Sequence, residues 1–571
     1  MQQSIPELFV LEALEKKSFS ILAIQKLKNK YSSKFAIPAL LNLDLIKAYR
    51  DLLDEGKIEA HPQFFALIQK RSIRTLSGIA PLSIFTKDFG CPGECVFCPT
   101  EKNMPKSYLS TEPGMMRAVL NQFDPYKQVH NRLRAFEVTG HNTDKIELIV
   151  QGGTFSSYPK HYQVSFLKGA FNAMNSFSIA KEKLELEERS KFKYAKFGPI
   201  DKKRLNLSST LKDAHKLNET ADVRCVGLTL ETRPDWINKK ELKRLRWLGA
   251  TRLEIGVQHT HNDVLMKNKR GHLAGHVIRA TKLMKDAGFK FTYHMMPGLW
   301  GTTFEKDVDM FRDILTKQEY QPDQLKFYPC VVTEYSELTK LWRSGEFKPM
   351  EDEDFLKLSM EVLPMIPEHM RLIRFIRDIP ATDILAGTKT SNLRQVAEAQ
   401  LKKEGKVCRD IRAREVRDQV VVLEDVEMIV REYDASDGKE YFISFEDTRQ
   451  DLILSFLRLR IPSQYFEKKK HWMKVLQGAA LIREIHTYGA QLQIGGTGES
   501  AQHQGFGRRM IEKAEEIVRE KYSDRLFKMA VISGIGVREY FRKWGYELEG
   551  EYMIKRIKDK GGGGELWNPY P

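Results

Sequence analysis

Three cysteines share one short loop, Phe89-Gly90-Cys91-Pro92-Gly93-Glu94-Cys95-Val96-Phe97-Cys98-Pro99, with the spacing C-x3-C-x2-C. Thiolates are the usual ligands of iron–sulfur clusters, and most clusters take four. Three thiolates hold three irons of a [4Fe–4S] cube and leave the fourth iron open. An open iron is what S-adenosylmethionine (SAM) needs for chelation by its amino and carboxylate groups. An electron from the cluster then cleaves the sulfonium to a 5′-deoxyadenosyl radical; that chemistry belongs to the cofactor, and the protein positions it. The competing reading is structural zinc, which takes four ligands, commonly as paired C-x2-C units. Only one such pair exists here, no fourth cysteine is near, and His130 or His141 would have to complete the set. The spacing therefore favours a radical-SAM cluster on Cys91, Cys95 and Cys98. Downstream, a strand candidate ends in Gln151-Gly152-Gly153-Thr154. A Gly-Gly turn lets a ligand approach the backbone closely, and here it is expected to face the methionine amino group of SAM.

A second constellation lies near the C-terminus. Gln502-His503-Gln504-Gly505-Phe506-Gly507 reads Q-x-x-G-x-G and opens a helix whose Met510, Ile511, Ala514, Ile517 and Val518 share one face. Free N–H groups at a helix start, with the macrodipole, bind anions. Glycines would let the pyrophosphate of coenzyme A reach them. With a strand before and βαβ-like elements after, the pattern fits an α+β acetyltransferase fold of the GNAT type; the competing reading is a Gly-rich turn capping a surface helix.

The elements that must position these residues fall into blocks. Residues 1–75 read as a basic helical region in which Lys26, Lys28, Lys30, Lys34, Lys70, Arg71 and Arg74 recur. Residues 76–330 alternate strand candidates (KIELIVQGG, VRCVGLTLE, TRLEIGVQ, KFTYHMMPG, QLKFYPCVV) with helical stretches. Repeated βα units imply a parallel sheet, either a barrel or an open doubly wound sheet. The charged stretch at about 180–218 reads as a helical insertion or a mobile excursion. Residues 331–415 read as a linker region, 416–556 as antiparallel strands with the DTRQ segment as a hairpin, and 557–571 as a flexible tail.

Among 571 residues, 42% are hydrophobic, which is enough for real cores and excludes a disordered chain. The formal charge of +16 points to a polyanionic partner, nucleic acid or an acidic membrane, unless the lysines merely face water. No stretch approaches the ~20 apolar residues of a membrane span, and the first residues do not have the pattern of a signal peptide, so a cytoplasmic location is expected. Six cysteines in a chain this long do not make a disulfide scaffold. Cys225 and Cys330 read as core residues.

At this point the chain resembles a known family, the catalytic subunit of Elongator or tRNA uridine carboxymethyl synthase. The likeness spans about residues 70–555 and rests on CPGECVFCP, STEPGMMRA, DKIELIVQGGTF, VGLTLETRPDWI, LEIGVQ, HMMPG, CRDIRAREV, REIHTYG, QHQGFG and AVISGIGVREYFRKWGYELEGEYMIK. It implies a radical-SAM partial TIM-type barrel followed by the GNAT domain, with [4Fe–4S], SAM and acetyl-CoA as cofactors. The implied reaction adds an activated acetyl methyl group to C5 of the wobble uridine of a tRNA anticodon and hydrolyses the thioester, leaving 5-carboxymethyluridine. An unstacked anticodon base suits such chemistry.

Residue by residue, the resemblance makes Cys91, Cys95 and Cys98 the cluster ligands and links Lys145 to acetyl-CoA. It places Glu484, Ile485, His486 and Thr487 along the pantetheine arm, and Phe506, Gly507 and Arg508 in the pyrophosphate loop. Tyr540 and Phe541 fall where many relatives have two tyrosines, so the second hydroxyl is missing here. Trp300 in HMMPGLWG departs from the family's Pro-Gly ending. Partners implied are the tRNA anticodon stem-loop and either Elongator-like subunits or a second copy of the chain.

Other candidates are softer. Glu231, Arg233, Glu254 and Gln258 sit at strand ends that face ligands in parallel α/β folds, where SAM contact competes with local salt bridges. Cys408 and His486 are weighed as ligands of a structural zinc against an ordinary buried cysteine. A lysine acetyltransferase with an accessory radical domain, and a tRNA-binding assembly subunit with a vestigial cluster, are the competing functions.

Overall fold

The computed structural model describes residues 3–16, 20–69, 78–182, 207–417, 419–488 and 505–557. The N-terminal region is helical: Ile5–Glu15, Ile21–Phe35, Asn42–Asp54 and Pro62–Ile68. Ser4 and Glu7 form a capping box, which fixes the first helix start. These helices close over a small core of their own that includes Phe9, Leu27, Leu45, Leu52 and Phe64. Arg50 Nη1 and Gln69 Nε2 tie them to the body by donating to Glu137 O (2.8 Å) and Gly140 O (2.9 Å). Lys26, Lys30 and Lys34 are exposed, but Lys28 turns inward and donates to Asn42 Oδ1. Of the other basic residues noted in the sequence, Lys70, Arg71 and Arg74 lie outside the described residues.

Seven strands form the central sheet in chain order: β1 (Ala80–Phe85), β2 (Lys145–Gln151), β3 (Arg224–Thr232), β4 (Arg252–Gln258), β5 (Lys290–Met295), β6 (Gln324–Phe327) and β7 (Arg371–Arg374). Every neighbouring pair is parallel. Parallel strands require crossover connections, here largely helical. Each strand has two faces of different chemistry. In β2 the even positions Ile146, Leu148 and Val150 are buried against the helices, while Lys145, Glu147, Ile149 and Gln151 face the other way, half-buried. Among the described residues no pairing closes β1 onto β7, so the sheet is a partial barrel.

Two expectations are corrected here. The segment read as a linker, 331–415, supplies β7, and its helices Asp352–Val362 and Leu393–Lys403 bury Phe355, Leu358, Ala397 and Leu401 in the sheet's own core. QLKFYPCVV is not one strand: β6 ends at Phe327, and only Val332–Thr333 resumes extended pairing, with Ile384–Ala386. Residues 183–206 and 558–571, which hold most of the expected insertion and tail, lie outside the described residues.

The second sheet has the order β8 (Val426–Ala435), β9 (Gly438–Asp447), β10 (Leu452–Ile461), β11 (Ala479–Thr487), β12 (Lys528–Val531), β14 (Tyr552–Arg556) and β13 (Glu547–Glu549). All pairs are antiparallel except β11 and β12, which run parallel only from Ala479↔Lys528 to Ile482↔Val531. Beyond Ile482 the two strands part, and β11 continues alone on that side to Thr487. The helix Phe506–Tyr522 packs Met510, Ile511, Ala514 and Val518 on this sheet. Ile411 and Val416 already belong to its core. No helix of the described residues is long and apolar enough to cross a membrane.

The two sheets are joined by a dense contact. Leu481, Ala530, Ile532, Ile535 and Tyr552 lie in the core of the parallel sheet. A Cβ on Gly534 would collide with Val226 O, so only glycine allows this approach. Arg460 Nη2 meets Asp286 Oδ1 at 2.8 Å with both side chains fully buried. Arg483 Nη1 donates to Asp323 Oδ2 (3.0 Å) and to Phe289 O (2.7 Å). Such pairs add little net stability when intact, but removing one partner strands a buried charge. Asp286→Ala is therefore expected to destabilise the fold by about 3–5 kcal/mol, read as a lowered denaturant midpoint in equilibrium unfolding.

Candidate functional site

The cysteine loop follows β1 at the C-terminal rim of the parallel sheet. Its backbone is pinned from several sides. Asp88 Oδ1 accepts from Gly90 N (2.7 Å), Val96 N donates to Asn268 O (3.3 Å) and Val96 O accepts from Leu338 N (2.9 Å). Val96 and Phe97 sink into an apolar cluster with Leu299, Cys330 and Trp300. Trp300, the sequence departure, thus helps to seat this loop; its Nε1 donates to Glu346 O (3.2 Å).

Cationic side chains brace the loop. Arg270 Nη1 donates to Cys95 Sγ (3.3 Å), and Lys106 Nζ donates to Gly93 O (2.8 Å). Arg233 is held by Asp235 (3.0 Å) and by Arg270 O (3.0 Å), and its buried Nη1 has no hydrogen-bond partner among the described residues. A Cβ on Gly93 would collide with that nitrogen. Burial pushes the Cys98 thiol up to about 12, so a thiolate there calls for a metal to offset its charge.

The thiols do not gather as zinc would require. Tetrahedral bonds of about 2.3 Å place sulfurs about 3.8 Å apart. Among the described residues, the only three candidate ligand groups within 4.8 Å of one another are Glu231, Glu254 and His294. Among the described residues the three cysteine sulfurs do not all lie within that distance of one another. Among the described residues Cys408 and His486 belong to no such group of three ligands. Cys408 Sγ lies 3.4 Å from Asp410 Oδ1, and the His486 ring sits beside Tyr488 and Phe456. Cys225 and Cys330 are buried in cores.

The Gly-Gly turn completes the rim. Gly152 has φ 139° and Gly153 φ 97°. A Cβ on Gly152 would collide with Thr86 Oγ1. Thr154 Oγ1 lies 3.5 Å from Cys91 Sγ. Glu231, on β3, accepts from Tyr108 Oη (2.9 Å) and from Gly152 N (3.4 Å). Tyr108 is a contact that the motif reading did not single out, as is Arg270, whose only sequence signal was a basic residue after a strand–helix unit. Glu254 is paired with Arg252 (3.3 Å), His294 Nε2 (3.0 Å) and Lys326. Burial would raise its carboxyl, but Lys326, His294 and Arg252 hold it well below the usual range.

The strand residues that the resemblance links to coenzyme A lie under the opposite, N-terminal rim. Glu484 is paired with Lys290 at the start of β5 (2.5 Å) and with Arg458 (3.0 Å). Burial opposes its ionisation, yet these two cations hold it at about 2. The His486 ring is kept neutral, pushed to about 3 by burial and then by Arg371. Gly505 starts the helix Phe506–Tyr522 at φ 69°, and no side chain caps it. Among the described residues no side chain takes its first amides, the geometry in which a helix start binds an anion. A Cβ on Gly507 would lie 2.8 Å from Tyr540 Oη. Phe506 is buried against Phe445 (4.4 Å between centroids), so its part in this loop is as an anchor. Arg508 is exposed beside Glu512 (2.7 Å). Gln502 lies outside the described residues.

A single cavity of about 1720 Å³ reaches both ends. Its wall includes Cys91, Cys95, Cys98, Gly153, Thr154 and Glu231 at one rim and Glu484, Ile485, His486 and Phe541 at the other. Phe541 is buried and reaches the wall without a hydroxyl. Gly152, Thr487 and Tyr540 border these groups without lining the cavity, and Lys145, on the cavity-facing side of β2, lies below its lining.

Two predictions follow from this geometry. Gly152→Ala should displace Thr86 and the turn beside Cys91, lowering SAM affinity at least about tenfold with iron content unchanged, as read by equilibrium binding. The unfolded chain binds the Glu484 proton more tightly than the folded chain does. Its contribution to stability is therefore complete above about pH 4.5 and is lost as pH falls towards 2. Glu484→Gln should flatten that part of the acid dependence in urea midpoints measured across the range.

The Radical SAM superfamily pattern matches residues 89–314, and the Radical_SAM C-terminal domain matches residues 322–403, the stretch that holds β7. The chain is 39% identical over 505 residues to the tRNA uridine(34) acetyltransferase of Methanocaldococcus infernus, covering 86% of this chain and 88% of the relative. It is 35% identical over 557 residues to Elongator complex protein 3 of Danio rerio, covering 94% and 93%. The solved structure of the archaeal Methanocaldococcus infernus Elp3 with an N-terminal deletion superposes with a TM-score of 0.70 at 36% identity, over 85% of this chain and all of that one. Likeness of this extent, along nearly the full length of archaeal and animal relatives, settles the family: the chain belongs to the tRNA uridine(34) acetyltransferases and Elongator complex protein 3, and is a radical-SAM acyltransferase.

Proposed function

We propose that this chain modifies the wobble uridine of tRNA anticodons, using acetyl-CoA to form 5-carboxymethyluridine. The observation that carries the reading is the shared cavity: the three cysteines and the acetyltransferase strand β11 line one space. A cluster on Cys91, Cys95 and Cys98 with SAM would supply a carbon-centred radical at the rim. Everything else falls to the chain's own residues. Arg233, Arg270 and Lys106 offset negative charge around the cysteine loop. Gly152, Gly153 and Glu231 offer a backbone cradle and a carboxylate for the amino and hydroxyl groups of SAM. The uncapped start of the helix Phe506–Tyr522 takes the pyrophosphate of coenzyme A, with Tyr540 beside Gly507 and β11 along the pantetheine arm.

The nucleic acid has its own surfaces. Arg117, Arg374, Arg377, Arg412 and Arg417 line the cavity and suit phosphates. Tyr328 and His294, with ring centroids 5.7 Å apart, offer flat faces to an unstacked base. His486, which lines the cavity and whose ring is kept neutral by burial, is placed to orient the water that hydrolyses the thioester. Lys145 stands below the cavity on β2, and its link to acetyl-CoA is part of the same proposal.

Anaerobic protein with reconstituted cluster, reductant, SAM, acetyl-CoA and tRNA is expected to yield 5-carboxymethyluridine at the wobble position, read by mass spectrometry of the nucleosides. Cys95→Ala should abolish it. Acetylation of protein lysines that survives Cys95→Ala, with no modified nucleoside from the intact enzyme, would replace this reading with a lysine acetyltransferase.

A further inference from the structure

A parallel barrel normally acts at one end. Its catalytic groups sit at the C-terminal rim, and its interior is filled by layers of bulky apolar side chains. Here the chemistry is split between the two rims. The cysteines, Thr154 and Glu231 are at the C-terminal ends of the strands. Lys290, the first residue of β5, touches Glu484 of the acetyltransferase sheet at the N-terminal ends. Strand β4 runs seven residues from Arg252 to Gln258. At about 3.3 Å per residue the two rims are roughly 20 Å apart.

The space between them is not filled. The inner face carries Glu147, Ile149 and Gln151 on β2, Arg252, Glu254, Gly256 and Gln258 on β4, Lys290 and His294 on β5, and Gln324 and Lys326 on β6, and all of these line the cavity. The charges on this wall cancel locally. Arg252 bridges Glu147 (2.7 Å) and Glu254 (3.3 Å), and His294 and Lys326 close on the other side of Glu254. A wall that is polar but self-neutralised suits a small uncharged group that accepts hydrogen bonds. It does not suit a diphosphate, whose place is the uncapped helix outside. The floor beside the acetyltransferase is narrow in side chains: Gly227 lines it, with a notional Cβ 3.6 Å from Glu147 Cγ and 3.7 Å from Thr251 Oγ1, ordinary contact distances.

We infer that the interior of the half-barrel is a passage that admits the acyl end of a coenzyme A thioester from the acetyltransferase rim towards the cysteine rim, with Gly227 at its floor and the Arg252–Glu254–Lys326–His294 layer as its wall. The inference rests on the proposed use of acetyl-CoA. It adds the route, and with it the residues that limit the length and size of the acyl group.

The test needs no turnover. Ile149→Cys puts a thiol midway along the wall. Cluster-loaded protein carrying it is treated anaerobically with the α-bromoacetyl thioester of coenzyme A or with bromoacetamide, and alkylation is mapped by peptide mass spectrometry. The thioester reagent should label the new thiol about tenfold faster than bromoacetamide, because binding raises its local concentration. Adding Gly227→Leu should remove that advantage, and Gly227→Ser, which keeps the floor small, should retain it. The passage is overturned if bromoacetamide labels the thiol and the thioester does not, or if both reagents react at equal rates with and without Gly227→Leu. Calorimetry with acetyl-CoA on the unaltered chain separates the two levels: no binding there would overturn the acetyl-CoA reading itself.

Discussion

Two sheets with unlike topologies meet through arginines that have no access to water. Arg483 reaches from β11 to Asp323, just before β6, and also to Glu440 (3.1 Å) within its own sheet. Arg460 reaches from β10 to Asp286, which also accepts from Ser463 N (3.0 Å) and Gln464 Nε2 (2.9 Å). Arg246 answers from the other side, donating to Ser533 O (2.8 Å) and Glu551 O (2.9 Å). Buried guanidinium groups demand several well-placed acceptors at once. That demand is geometric before it is energetic. It permits one relative placement of the sheets, and the alignment of the two rims on a common cavity depends on it.

The sequence carried the ends of this arrangement better than its middle. The cysteine spacing, the Gly-Gly turn after β2 and Gly505 at the start of the helix Phe506–Tyr522 are local patterns, and the structure sets them at strand and helix ends, as their sequence context implied. The alternation of β2 and the strand–helix rhythm made the parallel sheet legible as well. What failed was non-local. β7 is four residues long and bears two arginines, so nothing in RLIR announces a strand; it exists because β6 offers an open edge. Lys28 looks like one more surface lysine until Asn42 arrives beside it from the next helix.

The polar wall was visible only as scattered candidates. Glu231, Glu254 and Gln258 read as strand-end residues whose partners were unknown. The structure sets Glu231 and Glu254 side by side in register on β3 and β4 and separates them by partners: Glu231 accepts from Tyr108, whereas Glu254 is neutralised by three neighbours on its own strand and the two that follow. Register decides this. Side chains alternate faces along a strand, so a shift of one residue in β4 would bury Leu253 and Ile255 in the cavity and drive Arg252 and Glu254 into the helix layer.

Strand β5 touches both chemistries, with Lys290 against the acetyltransferase sheet and His294 facing the interior near the other rim. The distance between them is a property of four peptide units in an extended chain, not of a hinge or a linker. It cannot be tuned by loop length, and no residue can be inserted without turning one of the two away. The separation of the two ends of this strand behaves as a fixed ruler written into the backbone.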